Sequence, residues 1–261
     1  MSEGPQRSRW AGPAESFALL TSLRVPAAAS ARGVLPWAPL VGLVLGAVAT
    51  TVAWAAGRAA SPLVGAVLGI AVLAWLTRGL HLDGLADTAD GLGPLRGRER
   101  ALQVMRAGDV GPFGVATLVL VLLLQIGCLA QLLTLDGGWL ALPAATVTAR
   151  LAMAGTGLPG VPIAEGSSLG QAVAGTVSRG WLAGAAVLTA AAAAGAALLV
   201  GSGGPTAALV LVAAVAAGLG ASEALSARAV GRLGGVNGDV MGAMGEVAAT
   251  VTLLTAALLL G

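Results

Sequence analysis

Runs of about 17 to 22 mostly apolar residues recur along nearly the whole chain, each long enough for one helix to cross the hydrocarbon layer of a bilayer. In that layer every backbone N–H and C=O must find its partner within the protein, which a helix achieves inside its own segment. The runs lie near residues 36–56, 61–77, 112–135, 138–155, 181–200, 205–222 and 246–260, and they predict seven transmembrane helices. Residues 156–180 would add an eighth if they too are buried. With 57% hydrophobic and 10% charged residues and a mean hydropathy of +0.89, the chain is too apolar for an ordinary soluble domain. The expected fold is all-α, a polytopic helical membrane protein occupying residues 1–261 as a single domain embedded in the lipid bilayer. Residues 1–12 read as disordered. Residues 13–24 carry Phe17, Leu19, Leu20 and Leu23 on one rough face between Arg9 and Arg24, which predicts a short interfacial helix. The first long apolar run begins near residue 35 and further spans follow, which argues against a cleaved signal peptide.

All fourteen basic residues are arginine, and tyrosine is absent as well. A phosphate loop or Schiff base that needs lysine is therefore excluded. A net charge of +2, with no arginine patch interleaved with aromatics, gives no reason to expect nucleic acid as a partner. Cys128 is alone and falls within an apolar run, so it reads as filler and not as half of a disulfide. Threading seven spans with the N-terminus inside puts Arg7, Arg9, Arg24, Arg32, Arg78, Arg96, Arg98, Arg100, Arg106, Arg179, Arg228 and Arg232 on one side. Only Arg58 falls in an opposite loop, and Arg150 lies within a span. That asymmetry predicts a cytoplasmic N-terminus and a plasma or inner membrane location.

The chemistry concentrates on the arginine-rich side. In the stretch RGLHLDGLADTADG, residues 78–91, helical periodicity would align Asp83, Asp87 and Asp90 at i, i+4 and i+7. Three carboxylates that close repel one another unless a cation neutralises them. Oxygen-only ligands favour magnesium, manganese or calcium over zinc. A second acidic stretch, residues 228–246, places Asp239 and Glu246 seven apart among glycines, with Asn237 and Gly238 turning into the helix. The expected metal ligands are thus Asp83, Asp87, Asp90, Asp239 and Glu246. Glu246 could instead cap or snorkel at the interface. His81, the single histidine, could serve as a general base beside Asp83 and Asp87 or as a hydrogen-bonding spacer. Arg78, Arg106 and Arg150 suit phosphate oxygens, and with Asn237 and Gly238 they are the expected substrate-binding residues. Arg150 needs a partner wherever it sits inside a span.

Two motif matches lack the context that their chemistry requires. Gly166-Ser167-Ser168-Leu169-Gly170 has no histidine after it, and Gly155-Thr156-Gly157-Leu158-Pro159-Gly160 contains a proline and has no acid near position 180. The residues themselves point to metal-assisted phosphoryl transfer at a membrane surface. The Asp83-x3-Asp87 spacing also partly resembles the motif of CDP-alcohol phosphotransferases, although Leu80 and Asp87 stand where that pattern expects an Asp and an Arg. An ion-coupled transporter is the alternative from another class, and it would place its charges near the midplane.

A closer resemblance runs through four stretches: FALLTSLRVP (17–26) with WAPLVGLVLG (37–46), HLDGLADTADGLG (81–93), VMRAGDVGPFGV (104–115) and GGVNGDVMGAMGE (234–246). Together they resemble the cobalamin synthase family, adenosylcobinamide-GDP ribazoletransferase. The resemblance implies a magnesium-dependent membrane enzyme with adenosylcobinamide-GDP and α-ribazole, or its 5′-phosphate, as substrates. GMP would leave and adenosylcobalamin or its 5′-phosphate would form. Asn237 stands where that family often has threonine, and Ala107-Gly108 and Ile163-Ala164-Glu165 depart from its usual polar residues. Whether the chain forms a homo-oligomer is left open.

Overall fold

A computed structural model of the protein describes residues 11–25, 30–93, 97–200 and 203–261. The expected disordered tail lies outside the described residues as far as Trp10, as do Arg7, Arg9 and Arg96. Among the described residues the regular structure is helical, with one isolated parallel bridge between Ile163 and Val236. In chain order the helices are α1 (Ala11–Leu20), α2 (Val34–Ala59), α3 (Pro62–Leu76), α4 (Leu80–Leu92), α5 (Arg98–Met105) and α6 (Pro112–Leu132). A short 3-10 turn leads into α7 (Ala141–Gly155), and α8 (Ser168–Val173), α9 (Arg179–Val200), α10 (Gly204–Leu233) and α11 (Gly238–Leu260) follow.

Helices α2, α6, α9, α10 and α11 are long and apolar enough to cross a bilayer, and α3 with α4, bent by 89° between them, makes a sixth when counted as one span. The architecture is that of an all-α multi-pass membrane protein. Helices α3 and α7 coincide with two expected spans but hold only 15 residues each, about 22 Å of helix. Residues 156–178 form loops and the six-residue α8 in place of an eighth span, and residues 179–180 begin α9.

Helix α11 is the hub, packing against α10, α7, α4 and α6. Helix α2 joins α3 to α7 through small residues. A Cβ at Gly42 would stand 2.6 Å from the Thr146 carbonyl oxygen and 2.8 Å from Arg150 Cγ. Small residues allow this backbone approach in a medium where helices gain little by hiding apolar surface. Helix α9 sits at the periphery, with Ala197 its one buried residue. The bundle has two chemically distinct ends. The far end gathers Trp54, Arg58, Asp136 and Trp139 around one hollow, with Arg58 5.4 Å from the Trp54 ring centre. The near end carries the start of α2, the α3–α4 turn, α5 and the loop before α11.

Helix α1 begins two residues before the expected start and stops four short of the expected end. It packs on α2 with Glu15 and Ser16 turned inward. Ser16 donates to the Val34 carbonyl at 2.8 Å, and the Gly33 N–H donates to Glu15 at 2.6 Å. The Glu15 bond satisfies an N–H at the N-terminus of α2, where the amides lack partners within the helix, and the Ser16 bond ties α1 to the first residue of α2.

The bend before α4 is made by two successive residues in the left-handed region, Arg78 (φ 57°) and Gly79 (φ 68°). Gly79 adopts it freely, whereas a side-chain-bearing residue pays about 1–3 kcal/mol there. Arg78→Gly is therefore expected to hold or raise the thermal midpoint of the detergent-solubilised protein. Arg78→Val, β-branched and less tolerant of positive φ, is expected to lower stability by about 1 kcal/mol, as read by thermal unfolding of the two variants side by side.

Candidate active site

Helix α4 is regular across its acids, so Asp83, Asp87 and Asp90 do share a face. Asp83 is exposed, while Asp87 and Asp90 are buried. Helix α11 is aimed at this face by its own beginning. Asn237 accepts the Val240 N–H at 2.9 Å as an N-cap, and its side-chain amide donates to Asp239 at 2.9 Å. The preceding loop is clasped to residues 162–164, with the Val236 N–H donating to the Pro162 carbonyl at 2.9 Å and the Ala164 N–H to the Val236 carbonyl at 3.0 Å.

Two glycines let the helices touch. A Cβ at Gly84 on α4 would lie 2.7 Å from the Asp239 carbonyl oxygen and 2.9 Å from its Cα. On α11, a Cβ at Gly242 would lie 3.2 Å from His81 Cα. Backbone rests on backbone at both points, and the approach brings carboxylates together from two helices. Asp87 feels the charges of Asp239, Asp83, Asp90 and Asp109, and Asp239 feels that of Asp83. Asp109, exposed in the α5–α6 loop, was not singled out from the sequence. It lies 22 residues beyond Asp87, and only folding makes them neighbours.

The five acids expected to act together do not converge. Seven residues span two helical turns, about 10 Å along the axis, so Glu246 lies well inside the bundle from Asp239, and Asp90 stands equally far from Asp83. Asp90 accepts the Gly111 N–H at 2.7 Å, tying α4 to the start of α6. Glu246 is bonded to Gln125. Among the described residues no three His, Cys, Asp or Glu side chains stand close enough to hold an ion by themselves. The donor set still suits magnesium, which usually takes one or two carboxylates and completes its shell with water and substrate phosphates. Asp83, Asp87 and Asp239 offer that chemistry, hard oxygen ligands with mutual repulsion that a divalent ion relieves.

His81 turns away from the acids into the bundle and is 5% exposed. Arg150 Nη1 lies 3.3 Å from its Nδ1, 3.4 Å from its Nε2 and 3.2 Å from Met153 Sδ. A guanidinium can only donate, so the imidazole accepts. Arg150 is 6% exposed and is thus an interior residue, apart from the surface arginines expected to meet phosphate beside it. Gln125, missed in the sequence as an uncharged residue within an apolar helix, donates to Glu246 Oε2 and to Thr250 Oγ1, both at 2.9 Å.

The other expected contacts sit at the near end. Arg106 reaches the Glu165 carbonyl and lies against Gly166. Arg78 is exposed, with a long 3.5 Å contact to the Leu19 carbonyl. Arg98 lies over Gly234, and Gly238 opens α11 beside Leu169. Arginines thus surround the mouth where α4 meets α11, the distribution that a polyphosphate substrate would need.

Residues 13–257 match the model of the family described as cobalamin-5-phosphate synthase. A relative from Frankia casuarinae named adenosylcobinamide-GDP ribazoletransferase is 41% identical over 231 residues, covering 85% of this chain and 83% of its own. Relatives of the same name from a Roseiflexus species and from Pseudomonas savastanoi are 37% and 41% identical. They cover 94% and 85% of this chain, and 90% and 86% of their own. No solved structure matches the chain.

Since a methyl group at Gly84 would meet backbone that cannot rotate aside, Gly84→Ala is expected to push α4 off α11 and lower turnover by about 100-fold. Gly127→Ala, where nothing lies within 4 Å, serves as the silent control. Equal turnover in both variants, measured on purified protein, would contradict the role given to the helix contact.

Proposed function

The chain belongs to the cobalamin-5-phosphate synthase family, and from that membership we propose that it joins α-ribazole, or its 5′-phosphate, to adenosylcobinamide-GDP with release of GMP. The ribose hydroxyl oxygen forms a new bond to the cobinamide-side phosphorus, the bond from that phosphorus to the GMP oxygen breaks, and the hydroxyl proton passes to solvent. The product is adenosylcobalamin or its 5′-phosphate. The observation that carries the reading is the seating of α4, which holds Asp83 and Asp87, on the Asp239 backbone of α11 through Gly84, at the arginine-lined end of the bundle.

Asp83, Asp87 and Asp239 are the residues that would hold Mg2+. Bound there, the ion supplies neutralisation of the charge that builds on the departing phosphate. Arg78 and Arg106 suit the outer phosphates. Asn237 and Gly238 set the start of α11 and with it the Asp239 carboxylate. His81 is assigned to seating α4 and not to proton transfer, because its nitrogens face Arg150. The arginine asymmetry supports a cell-membrane protein with this end in the cytoplasm, where nucleotides and magnesium are found.

Magnesium-dependent GMP release from adenosylcobinamide-GDP and α-ribazole is the expected activity of the detergent-solubilised protein. Asp83→Asn and Asp87→Asn are each expected to lower it by about 100- to 1,000-fold, the scale on which transition-state charge stabilisation is lost. Full activity in both variants, or turnover of a CDP-alcohol with a lipid acceptor in place of the corrinoid, would overturn the assignment.

A further inference from the structure

Below the acids, four helices meet around a second polar group that the reaction itself does not use. Gln125 comes from α6, Glu246 and Thr250 from α11, Arg150 from α7 and His81 from α4. Gln125, Glu246, Arg150 and His81 line a cavity of about 50 Å³, together with Thr77 and Thr146. The rest of its wall is largely aliphatic. That volume exceeds the roughly 10–15 Å³ that one water needs, and the polar walls supply its partners. Arg150 and Glu246 influence each other electrostatically without a direct ion pair. Arg150 Nε is buried with no protein partner. The cavity that both residues line has room for a water to bridge them.

Gln125 determines where the carboxylate stands. A carboxylate only accepts, so the amide nitrogen must face it. That nitrogen is fixed at 2.9 Å from both Glu246 Oε2 and Thr250 Oγ1, and Thr250 returns a bond to the Glu246 carbonyl at 2.7 Å. With Glu246 held, its charge acts on Arg150, whose Nη1 lies against the His81 ring. His81 lies two residues before Asp83, and its backbone is the surface against which Gly242 of α11 rests.

We propose that Gln125 is a positioning residue for the acid site: by fixing Glu246 in the cavity it shares with Arg150, it holds the guanidinium on His81 and so sets how α4 lies on α11. The inference rests on the reading of Asp83, Asp87 and Asp239 as the metal-binding site. A residue acting only on stability would change how much protein is folded and leave the folded fraction with ordinary metal affinity. A positioning residue changes that affinity, and outer-shell changes of this kind typically cost 10- to 100-fold.

Two variants test it in the full-length, detergent-solubilised chain. Gln125→Met keeps the shape and removes both donors. The triple change Gln125→Met, Arg150→Met, Glu246→Leu removes every charge of the relay, and replacing a whole buried ionic group by apolar residues commonly preserves or raises stability. Mn2+ binding without substrate, followed by the loss of the free-ion electron spin resonance signal, is expected to weaken by about 10-fold in both variants. The Mg2+ concentration for half-maximal GMP release is expected to rise by a similar factor, with the KM for α-ribazole little changed. Wild-type Mn2+ affinity in either folded variant overturns the proposal. If the unaltered protein releases no GMP yet binds Mn2+ more tightly than the variants, the assigned reaction fails and the positioning role stands.

Discussion

The close approach of α4 and α11 is the constraint on which the rest depends. Carboxylates repel, and two helices carrying them would ordinarily be kept apart by their side chains. Here the helices meet through Gly84 and Gly242, so backbone contact between neutral surfaces holds the charged side chains near one another. The contact is reinforced from outside the pair. Asp90 ties the end of α4 to α6, Asn237 fixes the first turn of α11, and the clasp at residues 162–164 and 236 holds the loop that delivers it. None of these bonds touches a substrate in the proposed reaction, yet each restricts where Asp83, Asp87 and Asp239 can stand.

A polar group inside an apolar bundle works under different rules from one at its mouth. Breaking one member of a buried charge pair leaves the other uncompensated, at several kcal/mol. Arg150, Glu246, Gln125 and His81 therefore tolerate few arrangements and define the orientation of the four helices they come from. The near-end arginines face the opposite situation. Arg78, Arg98 and Arg106, exposed and screened by salt, contribute little to folding and lie where an anionic ligand can reach them. The fold thus divides its charges by depth, with interior ones fixing geometry and peripheral ones available for recognition.

Most of the helical framework was legible in the sequence, because a long apolar run needs no knowledge of its neighbours to be read as a spanning helix. The helical alignment of Asp83, Asp87 and Asp90 was legible for the same reason, since it is a property of one segment. What a single segment cannot reveal is what folds back against it. Asp90 shares the spacing of the other two, but its carboxylate is taken by the Gly111 N–H of a later loop. Glu246 shares a face with Asp239, but two turns of helix put it at another depth. Arg150 announced that it needed a partner without saying which, and Gln125 gave no sign at all, since one amide in α6 becomes informative only beside Glu246. The bend at Arg78 was equally hidden, because arginine is not a residue that signals positive φ.

That bend changes what distance along the sequence means. A helix continuing the axis of α3 would carry each successive residue about 1.5 Å deeper or shallower, roughly 6 Å from Asp83 to Asp87, and the two acids would experience different surroundings. Turned by 89°, α4 lies across the bundle, and its residues step sideways at nearly one level. Sequence separation is converted into lateral reach, so one segment can line a broad, shallow mouth. An amphiphile too large to enter between helices can settle over such a mouth from above, with its reactive phosphate lowered onto the acids and its bulk left outside.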